Sequence, residues 1–150
     1  MRTIKVRQAS REDLYWINER YKEVEFVPSN ENDYLAIAKV ENKFAGVGRI
    51  VPVEKDRGEL GGMYVFEEYR GSGASRAIIQ HLLDNARHEV LYCLPFENLE
   101  GLYASFGFDR IKEQEMGDVP DKVLEKHRWC NEFYSKPVLL MQMMLHGRAM

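Results

Sequence analysis

The residues best placed to do chemistry are six in a row, Arg70-Gly71-Ser72-Gly73-Ala74-Ser75. They stand between an apolar run at 60–66 and a segment whose Ile78, Ile79, Leu82, Leu83 and Ala86 share one face at helical spacing. The order is strand, glycine turn, helix. Such a turn aims several backbone N–H groups at one point, and the helix N-terminus adds roughly half a positive charge there. The chemistry that suits it is holding an anion, above all phosphate. Two common nucleotide loops do not fit. No Lys follows either glycine at the spacing of G-x-x-x-x-G-K-[ST], and Arg76 stands where G-x-G-x-x-G needs its third glycine.

Preceded by Met63-Tyr64-Val65-Phe66-Glu67-Glu68-Tyr69, the run 70–75 resembles the pyrophosphate-binding motif of the GNAT superfamily, the acyl-CoA-dependent N-acyltransferases. Of the pattern [QR]-x-x-G-x-[GA], Arg70 and Gly73 match, and Ser75 replaces the final small residue. A second segment, Asn98-Leu99-Glu100-Gly101-Leu102-Tyr103-Ala104-Ser105-Phe106-Gly107-Phe108, is similar to the family's later motif, in which an Asn, a small residue and a Tyr precede Gly-Phe. The first strand and capped helix, the hairpin and the closing apolar strand also stand in the family's order, so the resemblance runs over nearly the whole chain. It implies an α+β fold: a mixed, mostly antiparallel twisted sheet flanked by helices, splayed into a cofactor cleft where the strand at 60–66 parts from that at 90–94. The implied cofactor is acetyl-CoA. Its pantetheine arm would pair with backbone groups at Met63 and Val65, and its pyrophosphate would rest on the amides of Arg70, Gly71, Gly73, Ala74 and Ser75, with Ser72 in the same loop. Asn98 and Tyr103 complete the implied cofactor contacts.

N-acetyl transfer asks for a base to free the amine's lone pair and an acid for the departing thiolate. Tyr103 matches the family's acid position, and a phenol is a donor at neutral pH. Its alternative is a core tyrosine, since Leu99, Leu102 and Phe106 share its face. Asn98 commonly orients CoA or its bridging water; otherwise it caps a helix. Glu59, six residues before Val65, has the offset at which some members carry a glutamate base. In a regular strand an even offset puts both on one face, but a bulge at Gly61-Gly62 would break that parity. The alternatives are a solvated carboxylate beside Asp56 and Arg57, with water as the base. A backbone amide at 63–65 is the expected oxyanion donor. The missing side chains of Gly61-Gly62 would open an acceptor pocket, with Tyr21, Phe26, Val27 and Tyr34 as its other wall. Glu23, Glu25, Glu31 and Asp33 would draw a cationic amine, although such a charge run is more often a solvated face.

The elements that must position these groups are read from periodicity. Residues 2–8 alternate as a strand, Ser10 with Asp13 caps a helix carrying Leu14, Ile17, Tyr21 and Val24, and 34–40 with 44–51 form a hairpin turning at Asn42-Lys43. After the glycine loop come a strand at 90–94, a short helix at 98–106 closed by Gly107, and a strand at 108–112. A helix at 120–134 and a continuously apolar central strand at 138–145 follow, with a frayed end at 147–150.

Composition sets the outer limits. At 150 residues, 45% apolar, the chain reads as one domain over 1–150 with enough core to fold without staples. A net charge of −3 gives no general pull toward nucleic acid or anionic lipid. Cys93 and Cys130 stand apart and His81, His88, His127 and His146 show no ligand spacing, so no metal is assigned. No run approaches the roughly 20 apolar residues of a membrane span, and the N-terminus lacks a secretory signal, which predicts a cytoplasmic protein. Trp129, Cys130, Phe133 and Tyr134 suggest internal packing or, failing that, a homodimer contact. The expectation is an N-acetyltransferase acting on a primary amine of a small molecule, amino acid or protein. Its rival is a non-catalytic acyl-CoA-binding regulator.

Overall fold

The structure, a computed structural model, describes residues 3–145; the expected frayed end at 147–150 lies outside them. Seven strands, β1 Ile4–Gln8, β2 Tyr34–Val40, β3 Lys43–Glu54, β4 Arg57–Val65, β5 Val90–Cys93, β6 Asp109–Arg110 and β7 Met141–Met144, join four helices, α1 Leu14–Glu23, α2 Ala74–Asn85, α3 Glu100–Ala104 and α4 Asp121–Phe133. Their hydrogen-bonded order is β1-β2-β3-β4-β5-β7-β6. The β1–β2, β2–β3, β5–β7 and β6–β7 ladders are antiparallel, and β4–β5 is parallel from Arg57↔Val90 to Leu60↔Cys93. The mixed, mostly antiparallel sheet flanked by helices is therefore the fold.

The chain forms two compact units, one of residues up to Val51 with Gly62–Ala86, the other of Pro52–Gly61 with residues from Arg87 onward. In the first, Ile17 and Tyr21 of α1 pack with Leu35, Ile37 and Val47 of β2 and β3, and Trp16, Phe26 and Tyr64 lie against them. The start of α1 is set by Asp13, whose Oδ2 accepts from the Ser10 N–H at 2.7 Å and from Arg7 at 2.9 Å. The hydrogen bond from Arg7 holds the Asp13 carboxyl down at about 2. The hairpin turns on Glu41 and Asn42, both at positive φ (50° and 66°), one residue earlier than expected. Two consecutive left-handed residues match the twist of the flanking strands. A second turn, with Asp56 at φ 59°, starts β4 at Arg57 rather than at residue 60.

In the second unit Tyr92, Ile111, Val119, Val123 and Leu140 form the core, with Val53, Val90 and Leu124 packed on it. The helix expected at 98–106 divides into a 3₁₀ turn, Glu97–Leu99, and α3, and it closes at Gly107 with φ 111°. The strand expected at 108–112 shrinks to β6 because the Phe108 N–H turns back to the Tyr103 carbonyl at 3.2 Å. The apolar run at 138–145 does lie between two strands, but only Met141–Met144 pairs continuously, since the Leu139 N–H goes to the Pro95 carbonyl at 2.8 Å. Trp129 and Phe133 of α4 are 44% and 49% exposed and stack on each other at 4.6 Å, with Tyr134 edge-on to Trp129 at 5.9 Å and Cys130 buried, so the stretch packs on itself at the surface and turns only Cys130 inward. Among the described residues no helix is long and apolar enough to cross a membrane.

Candidate active site

In the first unit, β4 leads through a 3₁₀ turn, Glu67–Tyr69, to the loop at 70–73 and into α2. Gly71 (φ 79°) and Gly73 (φ 95°) hold the left-handed backbone that bends the chain into the helix. A Cβ at Gly71 would meet nothing within 4 Å, and one at Gly73 only the Ile4 methyl at 3.4 Å, so the space before the helix N-terminus is open. Of the five amides expected to hold phosphate, two are taken. Arg70 N–H donates to the Glu67 carbonyl and Ala74 N–H to Ser72 Oγ, each at 3.2 Å; Ser72 N–H donates to the Tyr69 carbonyl at 3.1 Å. Those of Gly71, Gly73 and Ser75 have no acceptor among the described residues. Three unspent donors at the start of a twelve-residue helix, two of them on glycines with open space in front, fit a diphosphate.

The helix is seated by Ala74, Ile78, Ile79, Leu82 and Leu83, all buried. Gly48 of β3 makes that seating possible: a Cβ there would stand 2.6 Å from the Ile78 methyl and 2.7 Å from Met63 Sδ. Gly46 does the same for the end of β4, where a Cβ would stand 2.9 Å from the Tyr64 carbonyl and 3.1 Å from Val65 Cα. Both glycines escaped the sequence reading, although alternate glycines in a strand are the visible sign of close backbone approach.

Gly62 overturns an expectation. Its φ of 59° is left-handed within the continuous strand β4, and the space its missing side chain leaves is filled. A Cβ would lie 2.6 Å from the Tyr21 hydroxyl and 2.7 Å from Arg49 Nε. Tyr21 is fully buried and donates its hydroxyl to the Gly62 carbonyl at 2.8 Å, and burial pushes its phenol up. Of the other residues expected to wall an acceptor pocket, Phe26 packs on Tyr21 at 5.7 Å, Tyr34 hydrogen-bonds His81 at 2.9 Å, and Val27 is exposed. Gly62→Ala should cost about 3 kcal/mol, from backbone strain and overpacking together. Denaturant unfolding with wild-type stability would refute this packing.

In the second unit Glu59 is not the solvated carboxylate weighed above. Its side chain is 7% exposed, and Oε2 accepts from Lys126 Nζ at 2.7 Å. Its charge reaches the buried Cys93 thiol, which desolvation raises well above the ordinary value. Tyr103 on α3 is 5% exposed, meets Phe108 edge-on at 5.9 Å, and has its phenol pushed up by burial and by Cys93. Glu59, Cys93 and Tyr103 thus share one electrostatic neighbourhood. Asn98 sits exposed in the 3₁₀ turn, and no side-chain bond from it caps a helix.

Residues 4–108 match the model of the family described as Acetyltransferase (GNAT) family. Among solved structures, the chain is similar to N-acetylglutamate synthase from Neisseria gonorrhoeae complexed with coenzyme A and N-acetyl-glutamate. The TM-score is 0.68 and the identity 19%, over 96% of this chain and 35% of that one. It thus spans about a third of the synthase's length. Rv2747 from Mycobacterium tuberculosis in complex with CoA aligns at TM-score 0.71 and 20% identity, covering 94% of this chain and 99% of that one. A GNAT family acetyltransferase from Elizabethkingia anophelis with acetyl-CoA bound gives 0.64 and 16%, over 95% and 98%. No curated protein sequence matches the chain.

Proposed function

The chain belongs to the GNAT acetyltransferase family, and from that premise we propose that it is an N-acetyltransferase, a single catalytic domain carrying acetyl from acetyl-CoA to a primary amine by direct attack in a ternary complex. The observation that supports this most is the trio of unspent amides at Gly71, Gly73 and Ser75 on the N-terminus of α2. They bind the diphosphate, with the Arg70 side chain exposed beside them. Met63 and Val65 present backbone groups to the pantetheine arm. Acetyl-CoA supplies the thioester: the amine nitrogen bonds to its acyl carbon, the C–S bond breaks, and the thiolate leaves.

Tyr103 is the acid. Burial keeps its proton in place, so it serves as a donor and not as a phenolate. Glu59 is the base candidate, with one lone pair of Oε2 already engaged by Lys126. Asn98, exposed and with no side-chain hydrogen bond among the described residues, orients the cofactor. Release of free thiol from acetyl-CoA across a panel of primary amines tests the whole reading, and at least one amine should stimulate it. If CoA binds and no amine does so, the non-catalytic regulator replaces the enzyme. In the same assay Glu59→Gln should lower kcat at least about 30-fold with CoA affinity unchanged; wild-type turnover would assign the base to water.

A further inference from the structure

The α1–β2 loop closes over a cation that has no carboxylate. Arg49 of β3 is 5% exposed. Its Nη1 donates to the Val27 carbonyl at 2.8 Å and to Ser29 Oγ at 2.5 Å, and its Cζ lies 4.6 Å from the centre of the Tyr21 ring. Those bonds use the two hydrogens on Nη1. The Nε–H and the two Nη2–H groups have no acceptor among the described residues, and no acidic side chain there bonds the guanidinium. A guanidinium cannot shed its charge, and a buried charge without a counter-ion is strongly disfavoured.

Three acids of the same stretch are committed elsewhere. Glu23 accepts from Tyr64 at 2.9 Å and pairs with Arg20 at 3.3 Å, Glu31 pairs with Arg11 at 3.1 Å, and Asp33 accepts from the Asn30 N–H at 3.2 Å. Three of the four acids that would draw a cationic amine are therefore engaged by local partners. What stays unspent is a donor edge. The Nε–Nη2 side of an arginine is the planar fork that matches a carboxylate with two parallel hydrogen bonds. Ser29, 6% exposed, accepts from Arg49 and so keeps its own O–H to donate. The loop is held rigid around it, because the Asn18 amide clasps the Ser29 backbone from both sides, at 2.8 and 3.0 Å. Arg49 also touches the open face of Gly62, one residue before Met63.

We propose that Arg49, with the Ser29 hydroxyl, binds the carboxylate of the acceptor, which makes the acceptor an amino acid carrying a free acid group. This rests on the acetyltransferase reading and narrows it to a substrate class. It also answers the packing at Gly62: Arg49 occupies the place of an open pocket and is itself the recognition element.

The test is direct binding. CoA-saturated protein is titrated calorimetrically with the twenty common amino acids and with the α-carboxamide of each. At least one free acid should bind at least about 100-fold tighter than its amide, since the amide leaves the buried cation unpaired. Arg49→Gln should remove that preference, weakening acid binding far more than amide binding, and Arg49→Lys should restore part of it. Equal affinity for acids and amides overturns the proposal. So does an Arg49→Gln protein that loses acid and amide binding alike, the result expected if Arg49 only ties down the loop. If Arg49→Gln does not fold, the wild-type acid–amide comparison alone decides. CoA binding with no amino acid bound defeats the carboxylate site while leaving the transferase; absence of CoA binding defeats the transferase itself.

Discussion

Gly73→Val should weaken CoA binding at least about 100-fold while the protein still unfolds cooperatively. Gly73 sits at φ 95°, a conformation a β-branched residue scarcely adopts, and holding valine there costs about 1–3 kcal/mol. The chain escapes that strain by rotating the peptides on either side. Rotation re-aims the Gly73 and Ser75 amides, so a diphosphate at the start of α2 loses donors as well as shape. The fold is spared because a Cβ at this position meets only the Ile4 methyl, at 3.4 Å, and α2 is anchored by its own buried face. Calorimetric titration with CoA reads the first effect and thermal unfolding the second. An unchanged CoA affinity would mean that the anion binds somewhere other than the start of α2.

Tyr103→Phe should lower kcat about 100-fold and leave CoA affinity within about threefold, the range for loss of one positioned proton donor. The substitution keeps the ring, so the edge-on contact with Phe108 and the burial of α3 survive. Only the O–H is lost. The pH profile separates this role from packing. Burial raises the phenol above its ordinary value, so the protonated, active form persists as pH rises, and the wild type should show no alkaline fall assigned to this group up to about pH 10. A variant with wild-type kcat would return Tyr103 to the core, the alternative that Leu99, Leu102 and Phe106 on the same stretch suggested.

Much of this was legible along the chain because it is local. The glycine loop is a few consecutive residues, the backbone of Gly71 and Gly73 follows from having no Cβ, and α2 announces itself by the 3.6-residue period of Ile78, Ile79, Leu82 and Leu83. Asp13 three residues after Ser10 marks the start of the first helix for the same reason. Strand ends were less legible, since each depends on where one N–H finds its partner. Leu139 bonding Pro95 and Phe108 bonding Tyr103 shortened two strands whose apolar pattern continues past them.

By itself, then, the amino-acid order determined the strand–loop–helix that offers amides to an anion, the family resemblance and the residues 63–75 and 98–108 that carry it. Tertiary structure alone decided what surrounds the reacting groups. Glu59 meets Lys126 across 67 residues, Arg49 meets Val27 and Ser29 across 22 and 20, and Tyr21 meets Gly62 across 41. No periodicity encodes such pairs. They follow from strand register and from which side chain fills the space a glycine leaves, and only a packed interior makes a charge's partner, or its lack of one, matter.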